Sequence, residues 1–330
     1  MPLRLIEIYV EEGHTDTLTA IAEQQGAVDC FTGAVSEDGR QTVRILVSPS
    51  NQQAVLDQIQ TALSGSDGWR LVMLPVEAAL PEPPPSEEKK VLPQSKTASR
   101  EELLADIRTG TRLDQGYVVL TLLSTIVAAI GLLTDNIAVI IGAMVIAPLL
   151  GPNLAFAFAT AIGDRSLMQL AIRAMAVGLF IAVAISALLG LVWPDNFDSP
   201  ELLDRTIVGY DGVALALASG AAAVLSLTTG VSATLVGVMV AVALLPPAVA
   251  MGMMAGAGQW SPAFGALLLL GVNVVCVNLA AQGVFAVKRL GPRTLTERSD
   301  SRRLVIRNVV LWLILLAGIV ALMNWRGTPL

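Results

Sequence analysis

Titratable chemistry is what this chain has least of. Histidine occurs once, as His14, and cysteine twice, as Cys30 and Cys276, in 330 residues. The two cysteines make no metal-ligand spacing and no disulfide framework, so neither a metal nor a cofactor is expected. Charged residues make up 15% of the chain, against about 25% in an ordinary soluble domain. A formal net charge of −6 argues against nucleic acid as a partner. From residue 115 onward the sequence holds seven long hydrophobic runs, and none contains an Asp or Glu; Asp135 and Asp164 stand only at their ends. That excludes an intramembrane aspartyl pair and a buried carboxylate that cycles protons. No Ser–His pair falls within the runs, and no Walker motif is present. The expectation is a protein that is not an enzyme.

Hydrophobic residues are what is there: 54% of the chain, with a mean hydropathy of +0.67. The runs lie at 115–133, 137–162, 167–192, 212–228, 233–257, 263–287 and 304–323. Each approaches the roughly 20 apolar residues that a membrane span needs. The expected class is an α-helical polytopic membrane protein with a small α+β domain before it. The first apolar stretch, "LIEIYV", is too short for a signal peptide and carries Glu7.

Residues 1–77 read as that soluble domain. Alternating apolar residues predict strands at "LRLIEIYV", "VDCFTGAV", "TVRILVSP" and "WRLVMLPV". "TDTLTAIAEQQGA", capped by Thr15 or Asp16, and "SNQQAVLDQIQTALSG" predict helices. The order β-α-β-β-α-β is the ferredoxin-like pattern, which serves ligand sensing in some proteins and assembly in others. A proline-rich linker follows at 78–97. Residues 98–114 predict an amphipathic pre-membrane helix, with a capping box of Ser99 and Glu102.

Two of the runs carry prolines near their middles. "IGAMVIAPLLGPN" holds Pro148, Gly151, Pro152 and Asn153; "VGVMVAVALLPPA" holds Pro246 and Pro247. Setting Gly142 against Gly237 also pairs Met144 with Met239, Leu149 with Leu244, Leu150 with Leu245 and Pro152 with Pro247. The register extends from Thr134 with Thr229 to Gly163 with Gly258. It reads as an internal repeat, residues 115–193 and 212–288, with a seventh helix at 304–323. Three spans per unit make the repeats inverted, an architecture of secondary transporters. Were the proline segments re-entrant, the units would instead be parallel.

Charge favours full spans. Arg108 and Arg112 precede the first run, and the 289–303 loop is strongly basic. The 194–211 loop is acidic, with Asp195, Asp198, Glu201, Asp204 and Asp211. The positive-inside rule then sets the N-terminus in the cytoplasm and the C-terminus outside an inner membrane. Trp193, Trp260 and Trp325 all fall at the outer interface, as an aromatic belt.

Proline has no N–H and clashes with the carbonyl four residues back. Pro148 and Pro152 free the carbonyls of Met144 and Pro148; Pro246 and Pro247 free those of Val242 and Ala243. Freed carbonyls must face protein or water. A new helix with Pro152 or Pro247 as its first residue would add unpaired N–H groups near the bilayer middle. The breaks therefore predict a polar spot for a solute. The competing reading is a proline kink satisfied by neighbouring helices. Arg173 is an intramembrane charge in the third run, close enough to the cytoplasmic face to snorkel. In the sixth run Asn273, Asn278 and Gln282 bring amides into the core, the last two on one face. They either line a path or glue helices together. Gly212, Ala216 and Gly220 form a close-packing face with no ligand assigned.

"GAMVIAPLLGPNLAFAFATAIGD" and "LVGVMVAVALLPPAVAMG" resemble the membrane core of the family catalogued as domain of unknown function 389, hydrophobic bacterial and archaeal membrane proteins. The resemblance covers about 110–290 and implies an integral membrane protein without naming a substrate. The leading expectation is a secondary transporter or permease for an unknown small solute, bound by Pro148, Gly151, Pro152, Asn153, Pro246, Pro247, Arg173, Asn273 and Asn278. An oligomeric channel gated by the ferredoxin-like domain, and a non-transporting scaffold or sensor, are the alternatives. The expected partners are the lipid bilayer, the solute, a second copy of the chain and a small-molecule ligand of residues 1–77.

Overall fold

A computed structural model describes residues 3–37, 39–76, 79, 99–193, 197–229, 244–288, 290 and 295–325. Residue 79 apart, the linker lies outside the described residues. So do 230–243 of the fifth run, with the carbonyls of Val242 and Ala243, and 291–294 of the basic loop. The chain divides into two compact units, Met1–Glu102 and Leu103–Leu330.

The first unit contains β1 (Leu3–Glu11), α1 (Thr15–Gln24), β2 (Asp29–Val35), β3 (Arg40–Val47), α2 (Gln52–Ala62) and β4 (Arg70–Val76). The sheet order is β2-β3-β1-β4, and every neighbouring pair is antiparallel. Period-two alternation puts Ile6, Ile8 and Val10 of β1 on one face, in register with Ile45, Val43 and Gln41 of β3. Those apolar residues pack with Leu18 and Ile21 of α1 and Val55, Leu56 and Ile59 of α2 in a single core. Neither Thr15 nor Asp16 caps α1. His14 holds the cap position without a side-chain bond to the helix N–H groups, and the Thr15 hydroxyl donates instead to Gln41 Oε1 at 2.6 Å.

The division between units falls inside α3 (Arg100–Thr109). Its capping box is formed in both directions. The Ser99 N–H donates to Glu102 Oε2 at 2.9 Å, and the Glu102 N–H donates to Ser99 Oγ at 3.1 Å. Around that turn Arg100 pairs with Asp57 at 3.0 Å and Arg4 with Glu102 at 3.1 Å.

The second unit is helical: α4 (Gln115–Leu133), α5 (Ile137–Ile146), α6 (Leu150–Ile162), α7 (Arg165–Val192), α8 (Pro200–Asp204), α9 (Tyr210–Thr229), α10 (Leu245–Gly256), α11 (Trp260–Val287) and α12 (Leu295–Trp325). Among the described residues, five helices are long and apolar enough to cross a membrane, or six if α5 and α6 count as one bent span. Short polar residues start several of them. Asp114 caps α4, Asn136 caps α5, Asp164 caps α7 and Ser199 caps α8. Apolar side chains on the outer faces remain exposed, among them Phe180, Leu188 and Leu191 of α7 and Ile306, Leu313 and Ile314 of α12. A polytopic membrane protein is the class that such surfaces require.

Contacts fix the relative directions of these helices. Asn153 meets Asn278, and Phe158 meets Phe285 edge-to-face with centroids 5.4 Å apart, so α6 and α11 run parallel. Gly212 lies against Leu269 and Gly220 against Val277, so α9 and α11 also run parallel. The Gly212–Gly220 face expected to pack closely is thus seated on α11. Asn308 meets Thr160 and Trp312 meets Phe156, so α12 runs antiparallel to α6. Trp193, Trp260 and Trp325 end α7, begin α11 and end α12, and all three are largely exposed.

Helices α7 and α10 approach each other closely. A Cβ at Gly190 would lie 2.9 Å from Met253 Cα, and one at Gly256 would lie 3.0 Å from Ala187 Cα. Gly252 faces Ser186 and the Val183 carbonyl in the same way. Ser186 and Gly190, like Gly252 and Gly256, are four apart, the small-xxx-small spacing of membrane helix seams.

Candidate functional site

The break between α5 and α6 follows from Pro148. Proline disfavours helical backbone in the residue before it, and Ala147 is extended, with φ −67° and ψ 122°. Pro148 also has no N–H to return to the Met144 carbonyl. The chain resumes as α6, bent by 52° from α5. Pro152 is the third residue of α6, not the first, because Leu150 and Gly151 are already helical. Pro246 and Pro247 likewise follow Leu245 in the first turn of α10. In both places proline occupies a turn whose N–H groups have no helical partner, so it starts the second half-helix at little cost.

The two half-helix starts share one buried apolar cluster: Met144, Ala147 and Leu149 from the first segment, Leu244, Leu245 and Ala248 from the second. Helices α5 and α10 touch directly. Beside them lies a polar group of a different kind. Asn153 in the first turn of α6 and Asn278 of α11 are both 0% exposed, and Gln282 is 3% exposed. Asn278 Nδ2 donates to Asn153 Oδ1 and, at 2.8 Å, to the Val274 carbonyl. The Val274 carbonyl accepts only a donor, which sets the Asn278 amide, and that in turn sets Asn153. Among the described residues, four buried polar atoms are then left without a partner: Asn153 Nδ2, Asn278 Oδ1, and Gln282 Nε2 and Oε1.

Gln282 stands one turn beyond Asn278, on the stripe that reaches Phe285 and faces α6. Ala157, one turn beyond Asn153 on α6, offers only a methyl there. A turn further, the Thr160 hydroxyl donates to the Phe156 carbonyl at 2.9 Å and accepts from Asn308 Nδ2 at 3.1 Å. The expected set is therefore gathered in part. Asn153 and Asn278 touch. Asn273 is buried, but five residues from Asn278 it points about 140° away around the helix. Arg173 lies on an exposed face of α7. Arg307, near the start of the seventh run, is a further charge within a span. Gly151 has a packing reason: a Cβ there would lie 2.9 Å from the Gly110 carbonyl carbon. Thr160 and Asn308 were not singled out from sequence, although an Asn in an apolar run was a signal.

Acidic groups hold the two ends of the bundle. At one, Asp164 accepts from the Ser166 and Leu167 N–H groups at 3.0 Å and pairs with Arg108 at 2.9 Å. Burial works against its ionisation, but the Leu167, Ser166 and Arg108 bonds outweigh it and lower the carboxyl below its ordinary pKa. At the other, Asp135 has a left-handed backbone, φ 50°. It accepts from Ser199 Oγ at 2.6 Å and from the Glu201 N–H at 3.0 Å, and those bonds lower its pKa too.

Residues 144–279 match the family described as "Domain of unknown function (DUF389)". The resemblance read from the sequence holds. An uncharacterized protein of Methanocaldococcus jannaschii is 28% identical over 326 residues, 99% of this chain and all of the relative. No solved structure matches. The matched region contains the α5–α6 break, the α10 start, Asn153 and Asn278.

Proposed function

We propose that this DUF389-like membrane protein is a permease for a small solute, with its site at the amide cluster beside the helix breaks. The observation that carries the reading is the buried group of Asn153, Asn278 and Gln282 with four polar atoms unpartnered. Leaving one such atom buried and unpaired costs about 1–3 kcal/mol. A fold that served only as a scaffold has no need of that expense, and an apolar stripe would pack more stably.

Seven full spans accompany this reading. The parallel direction of α9 and α11 supports an odd number of crossings in each repeat. We read α5 and α6, bent by 52° at Pro148, as one broken span. Together these support inverted repeats with the N-terminus at the basic side of an inner membrane and the tryptophans at the other. Asn278 lies 18 residues beyond Trp260, about 27 Å along the helix. The antiparallel β2-β3-β1-β4 order supports the ferredoxin-like reading of the first unit, to which we assign a regulatory role.

The test is flux into proteoliposomes holding the purified full chain, across a panel of ions and neutral solutes. A saturable flux that falls at least tenfold in Asn278→Leu is the expected result. Unitary current steps in a planar bilayer would replace the permease with the channel, and absence of any flux would leave the scaffold.

A further inference from the structure

The unpartnered atoms also describe the occupant. Their inventory is balanced, with donors on Asn153 Nδ2 and Gln282 Nε2 and acceptors on Asn278 Oδ1 and Gln282 Oε1. Among the described residues, no acidic or basic side chain bonds to any of the three amides. An anion in this position would face the Asn278 Oδ1 lone pairs, and a cation would face the Asn153 NH2 group. The Val274 carbonyl prevents the asparagines from exchanging those roles. Burying an unneutralised ion here would be very costly.

Resting on the permease reading above, we infer that the site takes a small neutral solute presenting donors and acceptors side by side, of the urea or carboxamide class. Such a molecule accepts from Asn153 Nδ2, donates to Asn278 Oδ1, and meets the Gln282 amide in the complementary orientation. Consecutive turns of α11 separate Asn278 from Gln282 by about 6 Å, which suits a solute of about four heavy atoms. Ala157 leaves the facing side of α6 without a bulky side chain at that level. Charge selectivity then comes from the absence of a counter-charge, and solute selectivity from the locked amides.

Shrink–reswell light scattering on proteoliposomes of the full chain tests this, with urea, acetamide and glycerol against sodium chloride and potassium nitrate. Urea and acetamide should enter much faster than into empty vesicles, each should slow the other, and both salts should be excluded. Gln282→Met should slow urea at least tenfold, whereas Arg173→Gln should not. Mutual inhibition in the wild-type protein needs no variant, so a misfolded Gln282→Met would not obscure the result. Entry of a salt without urea or acetamide would overturn the solute class and leave the permease standing. Entry of none of the five solutes, with Gln282→Met more heat-stable than wild type, would overturn both.

Discussion

Close packing of α7 on α10 makes a prediction whose sign depends on position alone. Gly190, Gly252 and Gly256 lie where a Cβ would collide with the facing helix, at 2.9 Å from Met253 Cα and 3.0 Å from Ala187 Cα in the first and last cases. Ordinary contact begins near 3.4 Å, and the Met253 and Ala187 carbonyl oxygens lie closer still, so the two helices would have to part by well over the few tenths of an ångström that a tight contact absorbs. A gap of 0.5–1 Å forfeits about a quarter to a half of the dispersion energy of every atom pair along the seam. Each Gly→Ala change there should therefore cost about 1–3 kcal/mol, the usual range for overpacking. Gly142, Gly283 and Gly318 are also helical, but among the described residues nothing lies within 4 Å of a Cβ built on them. Alanine at these sites should stabilise by up to about 1 kcal/mol, because it restricts the unfolded backbone. Thermal unfolding of the six variants at one scan rate in one detergent is the assay. Three apparent midpoints should fall and three should hold or rise. If Gly190→Ala, Gly252→Ala and Gly256→Ala were as stable as the other three, α7 and α10 would not meet as described.

Two further outcomes follow from the polar ends. Because the folded pKa of Asp164 is depressed, its contribution is present above the ordinary carboxyl value, near pH 4, and is lost as pH falls through the folded pKa. Asp164→Asn should therefore lower stability at pH 7 and flatten the acid side of the stability profile; an unchanged profile would mean that the carboxylate charge and its Arg108 pair contribute nothing. Ser99→Ala removes one arm of the α3 capping box and should cost about 1 kcal/mol, read as a faster loss of amide-exchange protection in α3 with α7 unaffected.

Local patterns in the sequence were enough for much of this molecule. Apolar run length placed α4 at Gln115–Leu133 and the broken pair between Ile137 and Ile162, because the cost of burying backbone in lipid forces any such run into a helix. Pro148 marked the break, since a missing N–H and a clash are properties of one residue and its neighbours. Ser99 and Glu102 announced their reciprocal bonds, which need only three residues of spacing. Thr15 illustrates the limit of such reasoning: it would cap α1, but Gln41 of β3, distant in sequence, takes its hydroxyl instead. The choice among Asn273, Asn278 and Arg173 was likewise beyond sequence, because three polar residues in apolar runs look alike until their faces are assigned. Only the parallel packing of α6 on α11 sets Asn278 against Asn153 and leaves Gln282 unpartnered beside them. Sequence determines which segments must be helical and where the backbone must break, because those are local matters of hydration and sterics. Which buried amides meet depends on how distant helices rotate and pair, and that is settled by packing over the whole bundle.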